Sequence, residues 1–438
     1  MFSTSKKTIY LSLLYIVIVN AVLLLGVSQY QYFTVYTAEY ILSFTVFGLF
    51  VINYIRDGVF LSLEVMFNLF GILYTNFYIG QLILANCRIE ETTYFVMLLS
   101  HFSMFVFNIA FILAKETRVK MVANCLQFNA QSYNYSKVYG YTFVLFCVSM
   151  LAEVYVLFFK IGILNYFTAS RATKSLMSSD YSILSFYKFT FPVVAFIFLY
   201  LFMKCKRKSS LVWFGIACGA SLFNSLIARS RTEMLAVVLP IICLLYFYGY
   251  INNTKVVIAG ITGIIFFGAW KALLMDGDFS ISFDSEFNTW YEVCKNVLED
   301  PTFEFRYGRT YLDTLLNLIV PVTNTEALSE WYMKTYEAYI YSLGGGRGFS
   351  SVLEAYINGG ILGNVLVYAF YGWLFKQLKR DSSFQMVFYL IMMTSMHQFF
   401  RSESYSLWKN MMWFKVYPVF LIFFLSSRAK SHSKFEDM

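Results

Sequence analysis

The chain has 438 residues, of which 58% are hydrophobic, 21% are aromatic and only 14% are charged. Soluble proteins have about 25% charged residues, so this composition excludes an ordinary water-soluble domain. The formal charge of +8 does not by itself indicate a nucleic-acid partner, because an excess of Lys and Arg is typical of the cytoplasmic loops of membrane proteins.

Apolar runs of bilayer-crossing length recur along the chain, which predicts an all-α, polytopic integral membrane protein with about 12 transmembrane helices. A transmembrane β-barrel would instead have alternating segments of about ten residues. The first run follows Lys6 and Lys7 and lacks a clear cleavage site, so it predicts an uncleaved helix. In chain order, the predicted spans cover approximately residues 8–27, 35–55, 59–84, 93–114, 138–159, 183–203, 210–228, 234–250, 256–275, 352–375, 384–400 and 405–425.

One long polar segment divides the chain into three predicted parts. Residues 1–275 hold helices 1–9, residues 276–351 form a large loop, and residues 352–438 hold helices 10–12 and a tail. If both termini are cytoplasmic, the basic clusters fall inside and the large loop falls outside, as the positive-inside rule requires. These clusters are Lys6-Lys7, Lys115–Lys120, Lys204–Lys208, Lys376–Arg380 and Arg428–Lys434.

Four arginines are exceptions to this distribution. Arg229 and Arg231 occupy a short external turn, while Arg347 and Arg401 lie at the external ends of helices 10 and 11. An anionic ligand at the outer face would favour positive charge there, because a guanidinium group binds phosphate oxygens bidentately. Lipid headgroups or neighbouring carboxylates are the alternative partners.

A glycine-rich segment that starts at Gly344 closes the large loop and opens helix 10. Glu354 and Asn358 follow at i and i+4, on one face of the predicted helix, and Gly359 and Gly363 have the same spacing. Ionisable groups at a membrane boundary indicate a functional site. The alternative is a glycine-rich turn followed by a GxxxG helix-packing face.

The large loop contains Trp290, Trp331 and many Tyr and Phe residues, which predicts a folded or interfacial lid with short helices lying on the membrane. Arg306 and Arg309 belong to this loop and could reach the same site, although a solvated structural role is their default. The chain has no Walker A loop, no Rossmann fingerprint and no metal-ligand spacing of His or Cys. The sequence therefore predicts neither a cofactor nor a metal, and it disfavours a nucleotide-sugar enzyme.

Three segments resemble the Wzy-type O-antigen polymerases, which are oligosaccharide repeat-unit polymerases of bacterial inner membranes. The segments are Ser-Leu-Ile-Ala-Arg229-Ser-Arg231-Thr-Glu-Met-Leu between two spans, Gly344 to Gly363 after the large loop, and Phe399-Phe-Arg401-Ser-Glu-Ser. The third segment departs from the family pattern, because it has Ser402 where related sequences often have glycine.

The resemblance implies a glycosyltransferase reaction at the periplasmic face of the inner membrane. A glycan chain carried on undecaprenyl pyrophosphate moves onto the non-reducing end of a new lipid-linked unit, and one undecaprenyl pyrophosphate leaves. Because the pyrophosphate-linked sugar is already activated, the reaction needs neither ATP nor a nucleotide sugar. The implied partners are the lipid-linked oligosaccharide, the bilayer and, as a candidate, a polysaccharide chain-length regulator, with no nucleic acid.

The resemblance also implies roles for individual residues. Glu354, Arg347 and Arg401 are expected to be catalytic, with Glu354 accepting the proton of the acceptor hydroxyl and the arginines stabilising the pyrophosphate. Glu233 and Glu403 are alternative proton acceptors, and each carboxylate could instead pair with a neighbouring arginine. The expected substrate-binding residues are Arg229, Arg231, Glu233, Asn358 and Glu403.

Three other functions are weighed against a polymerase. A lipid-linked oligosaccharide flippase would place its charges within the spans, along a central cavity, and would need no large external loop. An O-antigen ligase has a similar layout but usually has a histidine in its large loop, and residues 276–351 contain none. A purely structural membrane protein would not explain arginines at external helix ends.

Overall fold

The computed structural model describes residues 33–427 apart from 58, 86, 88, 116–132, 163–164, 166–186, 188, 228–230, 261, 264–283, 320–325, 344–345 and 379–382. Within these ranges every regular element is a helix, and the one β-bridge joins Tyr133 to Ser427. The predicted all-α class is therefore confirmed for the part of the chain that the structure describes.

The helices are numbered here in chain order, and two of them include a π-helical turn. They are α1 (Phe33–Asp57), α2 (Leu63–Leu84), α3 (Glu91–Leu113), α4 (Tyr135–Tyr155, extended by the π turn Val156–Ile161), α5 (Phe191–Cys205), α6 (Lys208–Ile227), α7 (Arg231–Phe247), α8 (Asp284–Leu298), α9 (Arg309–Ile319), α10 (Leu328–Tyr336), α11 (Ala338–Ser342), α12 (Ser351–Gln377), α13 (Ser383–Thr394), α14 (Gln398–Arg401), α15 (Ser404–Met411, extended by the π turn Met412–Val416) and α16 (Tyr417–Ser426).

Several helices have the length and composition needed to cross a bilayer. Four helical stretches qualify outright: Glu39–Arg56, Glu91–Leu113, Tyr135–Ile161 and Ser351–Gln377. Three shorter apolar helices are Phe191–Cys205, Met234–Phe247 and Ser383–Thr394. The total of 12 spans and their orientation stay predictions, because the first predicted span, residues 8–27, and most of the ninth, residues 256–275, lie outside the described residues.

The chain forms two units of dense internal contact. The first comprises Met1–Glu116, Asn252–Gln377 and Ser395–Lys409, and the second comprises Thr117–Ile251, Leu378–Thr394 and Asn410–Met438. Glu354 and the residues around it that are discussed below belong to the first unit, whereas Arg231 and Glu233 belong to the second. The three-part division predicted from the sequence, with boundaries at residues 275 and 351, stays a prediction.

Close helix packing defines the first unit. At Gly372 of α12, an added Cβ atom would lie 2.3 Å from the carbonyl oxygen of Phe107 in α3, so the two backbones touch. Next to this contact, the ring of Phe107 stacks on Phe67 with 3.8 Å between ring centroids. Small residues that allow such an approach are typical of helix pairs in membranes, where packing rather than water exclusion drives association.

The large loop is folded against this unit through α8. The indole Nε1 of Trp290 donates to the carbonyl oxygen of Phe400 across 2.8 Å, and the Tyr291 hydroxyl donates to the carbonyl oxygen of Thr75 across 2.6 Å. Both rings are buried, and each places its polar atom on a backbone acceptor, as buried Trp and Tyr side chains require. The short helices predicted for the loop are therefore present, as α8–α11.

The structure corrects the prediction of a continuous helix over residues 352–375, because α12 is broken at two consecutive glycines. Gly359 has φ −160° and Gly360 has φ 58° and ψ −148°, a combination that side-chain-bearing residues rarely adopt. Beyond the break the helix turns back on itself, since a Cβ atom at Gly363 would lie 2.0 Å from the carbonyl oxygen of Ala355. Gly363 thus serves packing within one broken helix, between its short half (residues 351–358) and its long half (residues 361–377).

The predicted eleventh span, residues 384–400, also needs correction. Its regular helix, α13, ends at Thr394, and a turn over residues 395–397 precedes the short helix α14. The amide of Gln398 donates to the carbonyl oxygen of Ser395 across 2.9 Å within this turn. The break separates Arg401 from the apolar helix that was expected to end beside it.

The second unit is arranged around α5. Eleven consecutive residues of this helix, 191–201, are buried, which is typical of a helix surrounded by others. Its Tyr200 hydroxyl donates to Ser383 Oγ at the start of α13 across 2.6 Å. Tyr135 at the start of α4 also hydrogen-bonds to Ser383, with 3.1 Å between the hydroxyl oxygens. Ser383 of α13 thereby connects its own helix to α4 and α5.

Candidate active site

A buried carboxylate lies at the centre of the candidate site. Glu354, on the short half of α12, has none of its surface exposed. Its Oε1 accepts a hydrogen bond of 2.8 Å from the Thr310 hydroxyl of α9, and its Oε2 accepts one of 2.6 Å from the backbone N–H of Ser404. Three segments that are distant in sequence therefore meet at a single side chain.

Asn358 lies one turn after Glu354 on the same face, as the i, i+4 spacing predicted. Its Nδ2 donates to the Thr310 hydroxyl across 2.7 Å and to the Glu354 carbonyl oxygen across 2.8 Å. The Thr310 hydroxyl thus accepts from the amide and donates to the carboxylate. This arrangement fixes the orientation of all three groups.

A polar atom beside this cluster, Asn358 Oδ1, is buried without a hydrogen-bond partner among the described residues. The Ser404 hydroxyl interacts with Glu354, Tyr311 and Tyr371, so several polar groups surround one carboxylate. Buried polar groups are nearly always paired, and an unpaired one beside such a cluster indicates a place for water or for the hydroxyl of a ligand.

A second buried carboxylate, Glu403, precedes Ser404 directly. Glu403 is 1% exposed, and its Oε1 accepts hydrogen bonds from the hydroxyls of Ser329, at 3.0 Å, and Ser406. Burial raises the pKa of the Glu403 carboxyl, and the two serine hydroxyls offset part of that rise. The charges of Glu403 and Glu354 are close enough to interact, and neither carboxylate forms a salt bridge with a described residue.

Arg401 lies against the glycine-rich segment. A Cβ atom added at Gly348 would be 2.6 Å from the Arg401 carbonyl oxygen, 2.8 Å from its Cγ and 3.2 Å from its Nε. Only glycine leaves room for the arginine in this position. Glycine is therefore needed at position 348 because Arg401 approaches its backbone closely, and not because of an unusual backbone angle.

Arg347 is bound to carboxylates of the large loop. Its Nε donates to Glu337 Oε2 across 2.9 Å, its Nη1 donates to Thr289 Oγ1 across 2.8 Å, and Glu292 lies 3.9 Å from Nη1. Burial lowers the pKa of Arg347, but the hydrogen bond and charge of Glu337 outweigh burial and leave the pKa above its ordinary value. The alternative partner expected for such an arginine, a nearby carboxylate, is thus present, although it is not one that the sequence indicated.

The structure does not describe the side chains of the other predicted site residues, Arg229, Arg231 and Glu233. Arg229 falls outside the described residues. Arg231 and Glu233 are in the first turn of α7, but their side chains are outside the described set. Of the predicted residues, the structure brings together Glu354, Asn358 and Glu403, and it places Arg401 against Gly348, the residue that follows Arg347.

Sequence reasoning missed Thr310 and Ser404, which hold the two oxygens of Glu354. One signal was available for Thr310, because Thr310, Thr314 and Asn317 recur at helical spacing and form a polar stripe on an otherwise leucine-rich helix. Ser404 contributes a backbone N–H, which no pattern of side chains could indicate. Within the described residues, no group of three or more His, Cys, Asp or Glu side chains could hold a metal ion.

The fold and site define a multi-pass membrane protein with buried carboxylates and loop arginines in one region. Comparison with known families then gives a specific result. The family model for O-antigen polysaccharide polymerase Wzy matches residues 293–432, about a third of the chain, and so confirms the resemblance to the Wzy-type family. The match includes Arg347, Glu354, Asn358, Arg401 and Glu403. It begins after Arg229, Arg231 and Glu233 and so does not include them.

This match supports an O-antigen polymerase type of function, that of a polymerising glycosyltransferase acting on a lipid-linked oligosaccharide in a membrane. No curated protein and no solved structure matches the chain.

Proposed function

We propose that this protein links undecaprenyl-pyrophosphate-bound oligosaccharide repeat units into polysaccharide at the periplasmic face of the bacterial inner membrane. An acceptor hydroxyl on the new unit attacks the anomeric carbon of the first sugar of the growing chain. The bond between that carbon and the pyrophosphate oxygen breaks, and undecaprenyl pyrophosphate leaves with the bonding electrons. The hydroxyl proton passes to a carboxylate of the protein.

The observation that carries this proposal is the segment from Arg401 to Ser404. At one end Arg401 lies against Gly348, and at the other the Ser404 N–H donates to Glu354 across 2.6 Å. Three residues of extended chain span at most about 10 Å, so the backbone of Arg401 and the N–H group that binds Glu354 lie within that distance of each other. The reaction needs a cation for the pyrophosphate and a carboxylate for the acceptor hydroxyl near the same carbon, and this segment connects one of each.

Arg401 is proposed to bind the pyrophosphate and to stabilise the charge that develops on it as the bond breaks. Arg347, the residue before Gly348, assists. Because its guanidinium is bound to Glu337 in this structure, it must exchange that carboxylate for phosphate oxygens when the substrate enters. A carboxylate and a phosphate can each accept two parallel hydrogen bonds from a guanidinium group, so the exchange preserves the geometry of the contact.

Glu354 is the proposed proton acceptor, with Glu403 as the alternative. Glu354 forms no salt bridge with a described residue, so no cation has to be displaced from it when the substrate binds. The unpaired Asn358 Oδ1 beside it is suited to bind a sugar hydroxyl. Since Glu354 is completely buried, the proposal requires that substrate entry opens its contact with Thr310 or with Ser404.

Reconstitution in liposomes tests the proposed reaction directly. The protein is supplied with undecaprenyl-pyrophosphate-linked repeat units and with neither ATP nor nucleotide sugar. Chains of increasing length, and one released undecaprenyl pyrophosphate for each added unit, are the expected products, and Glu354→Gln abolishes both. Movement of the lipid-linked unit across the bilayer without lengthening would identify a transporter instead. Transfer only onto a lipid A–core acceptor would identify a ligase.

A further inference from the structure

The helix α9 of the large loop has an inverted arrangement of polar and apolar side chains. Its apolar residues Leu312, Leu315, Leu316 and Ile319 recur at i, i+3, i+4 and i+7 and are exposed by 58%, 59%, 48% and 76%. Its other face carries Thr310, Thr314 and Asn317, which are buried. A helix on a water-soluble surface would bury the leucines and expose the threonines and the asparagine.

The buried polar face is anchored to α12. Thr310 connects α9 to Glu354 and Asn358, and the backbone N–H of Arg306, just before α9, donates to the carbonyl oxygen of Ile357 across 2.7 Å. Thr314 donates its hydroxyl to the Thr310 carbonyl oxygen across 2.8 Å. The direction in which the leucines point is therefore fixed by the hydrogen bonds of the opposite face.

The leucines of α9 are exposed to an extent similar to that of leucines on α12, a helix that qualifies as a membrane span. On the long half of α12, Leu362 and Leu366 are exposed by 72% and 70%. The apolar surface also continues before α9, where Phe305 and Tyr307 are exposed by 40% and 86%. An exposed apolar surface this extended, joined to a membrane helix, marks contact with hydrocarbon rather than with water.

We propose that the leucine face of α9 is embedded among the acyl chains of the bilayer, so that part of the large loop is a membrane-inserted element. Arg309, exposed at the first residue of α9, then lies at the level of the lipid phosphates, where cationic side chains of such helices bind. Embedding the leucine face presses Thr310 towards Glu354. The bilayer is in this way a structural partner of the buried carboxylate.

Site-specific crosslinking in liposomes tests this proposal on the full chain. Benzoylphenylalanine is introduced in place of Leu315, in place of Leu312 as a second position, and in place of Glu304 as an exposed control in the same loop. Phospholipid adducts are expected at positions 315 and 312 after illumination and are absent at position 304.

A water-soluble maleimide provides the complementary measurement on the same protein. Glu304→Cys is expected to be labelled above the level of the unmodified chain, whereas Leu315→Cys is expected to stay at that level. Equal labelling of the two variants would overturn the proposal, because it would place the leucine face in water. A protein adduct at position 315, with a second copy or another chain, would overturn it as well.

Discussion

The hydroxyl of Thr310 donates a hydrogen bond to Glu354 Oε1 across 2.8 Å, although the two residues are 44 positions apart in sequence. The same hydroxyl accepts the Nδ2 of Asn358 across 2.7 Å. One side chain of the large loop is therefore hydrogen-bonded to both Glu354 and Asn358, on the short half of α12. This relationship connects the folding of the loop to the position of the buried carboxylate.

Replacing this hydroxyl should destabilise the protein. Thr310→Val keeps the shape of the side chain but leaves a buried carboxylate oxygen and an amide without a partner, which costs about 1–3 kcal/mol. We expect a lower Tm in detergent, measured by intrinsic fluorescence. The matched control is Thr314→Val, which removes a hydroxyl bonded to a backbone carbonyl oxygen that α-helical bonding can also satisfy. Equal Tm values for the two variants would contradict the role of Thr310.

The break in α12 makes a separate prediction about two adjacent glycines. Gly360→Ala places a side chain at φ 58° and ψ −148°, a region that is essentially restricted to glycine, and should cost about 1–3 kcal/mol. Gly359→Ala is the control, because φ −160° is extended backbone and the added Cβ would meet nothing within 4 Å. The yield of folded protein after size-exclusion chromatography should fall for position 360 only. Similar yields for both variants would show that the broken geometry is not required.

A third prediction concerns the contact between Gly348 and Arg401. Gly348→Ala introduces a methyl group 2.6 Å from a backbone oxygen, so Arg401 must move. Displacement of a catalytic group by about 1 Å can reduce activity by about 100-fold, so we expect a reduction of 10- to 100-fold in the rate of chain lengthening. Gly346→Ala, in the same glycine-rich segment, meets nothing within 4 Å and should retain activity. Full activity of Gly348→Ala would remove Arg401 from the proposed site.

Arg347 and Glu337 give the fourth prediction. If Arg347 binds phosphate with its planar fork, Arg347→Lys should lose most of the activity despite keeping the charge, by roughly tenfold or more for one charge-assisted hydrogen bond. Glu337→Gln should have equal or higher activity, because it weakens the competitor for that fork. Initial rates of lengthening in liposomes provide the measurement. Near-normal activity of Arg347→Lys would count against bidentate binding.

Local patterns in the sequence were sufficient for part of this structure. The apolar runs predicted α1–α4, α6 and α7 to within a few residues, whereas α5 begins eight residues after its predicted start; the spacing of Glu354 and Asn358 placed them on one face. The glycines at 359, 360 and 363 were ambiguous, because they are compatible both with a straight GxxxG helix and with a broken one. Backbone dihedral angles decided the question, and they depend on packing that no local pattern contains.

The partners of the site residues were beyond the reach of sequence patterns. Arg347 was expected to bind a phosphate or a carboxylate close to it in sequence, and Glu337 is ten residues away, between α10 and α11. Thr310 and Ser404 reach Glu354 only because α9 and the segment after α14 fold against α12. Contacts of this kind result from the tertiary arrangement, so neither helical periodicity nor residue type could have identified them.

A lipopolysaccharide gel of a bacterium that lacks this protein shows whether the protein polymerises repeat units. Core that carries a single repeat unit is expected, because units are still delivered and ligated but not joined, and the full ladder should return on complementation. Bare core with polymer on the lipid carrier, bare core without periplasmic polymer, or an unchanged ladder would each show that the protein is not the polymerase.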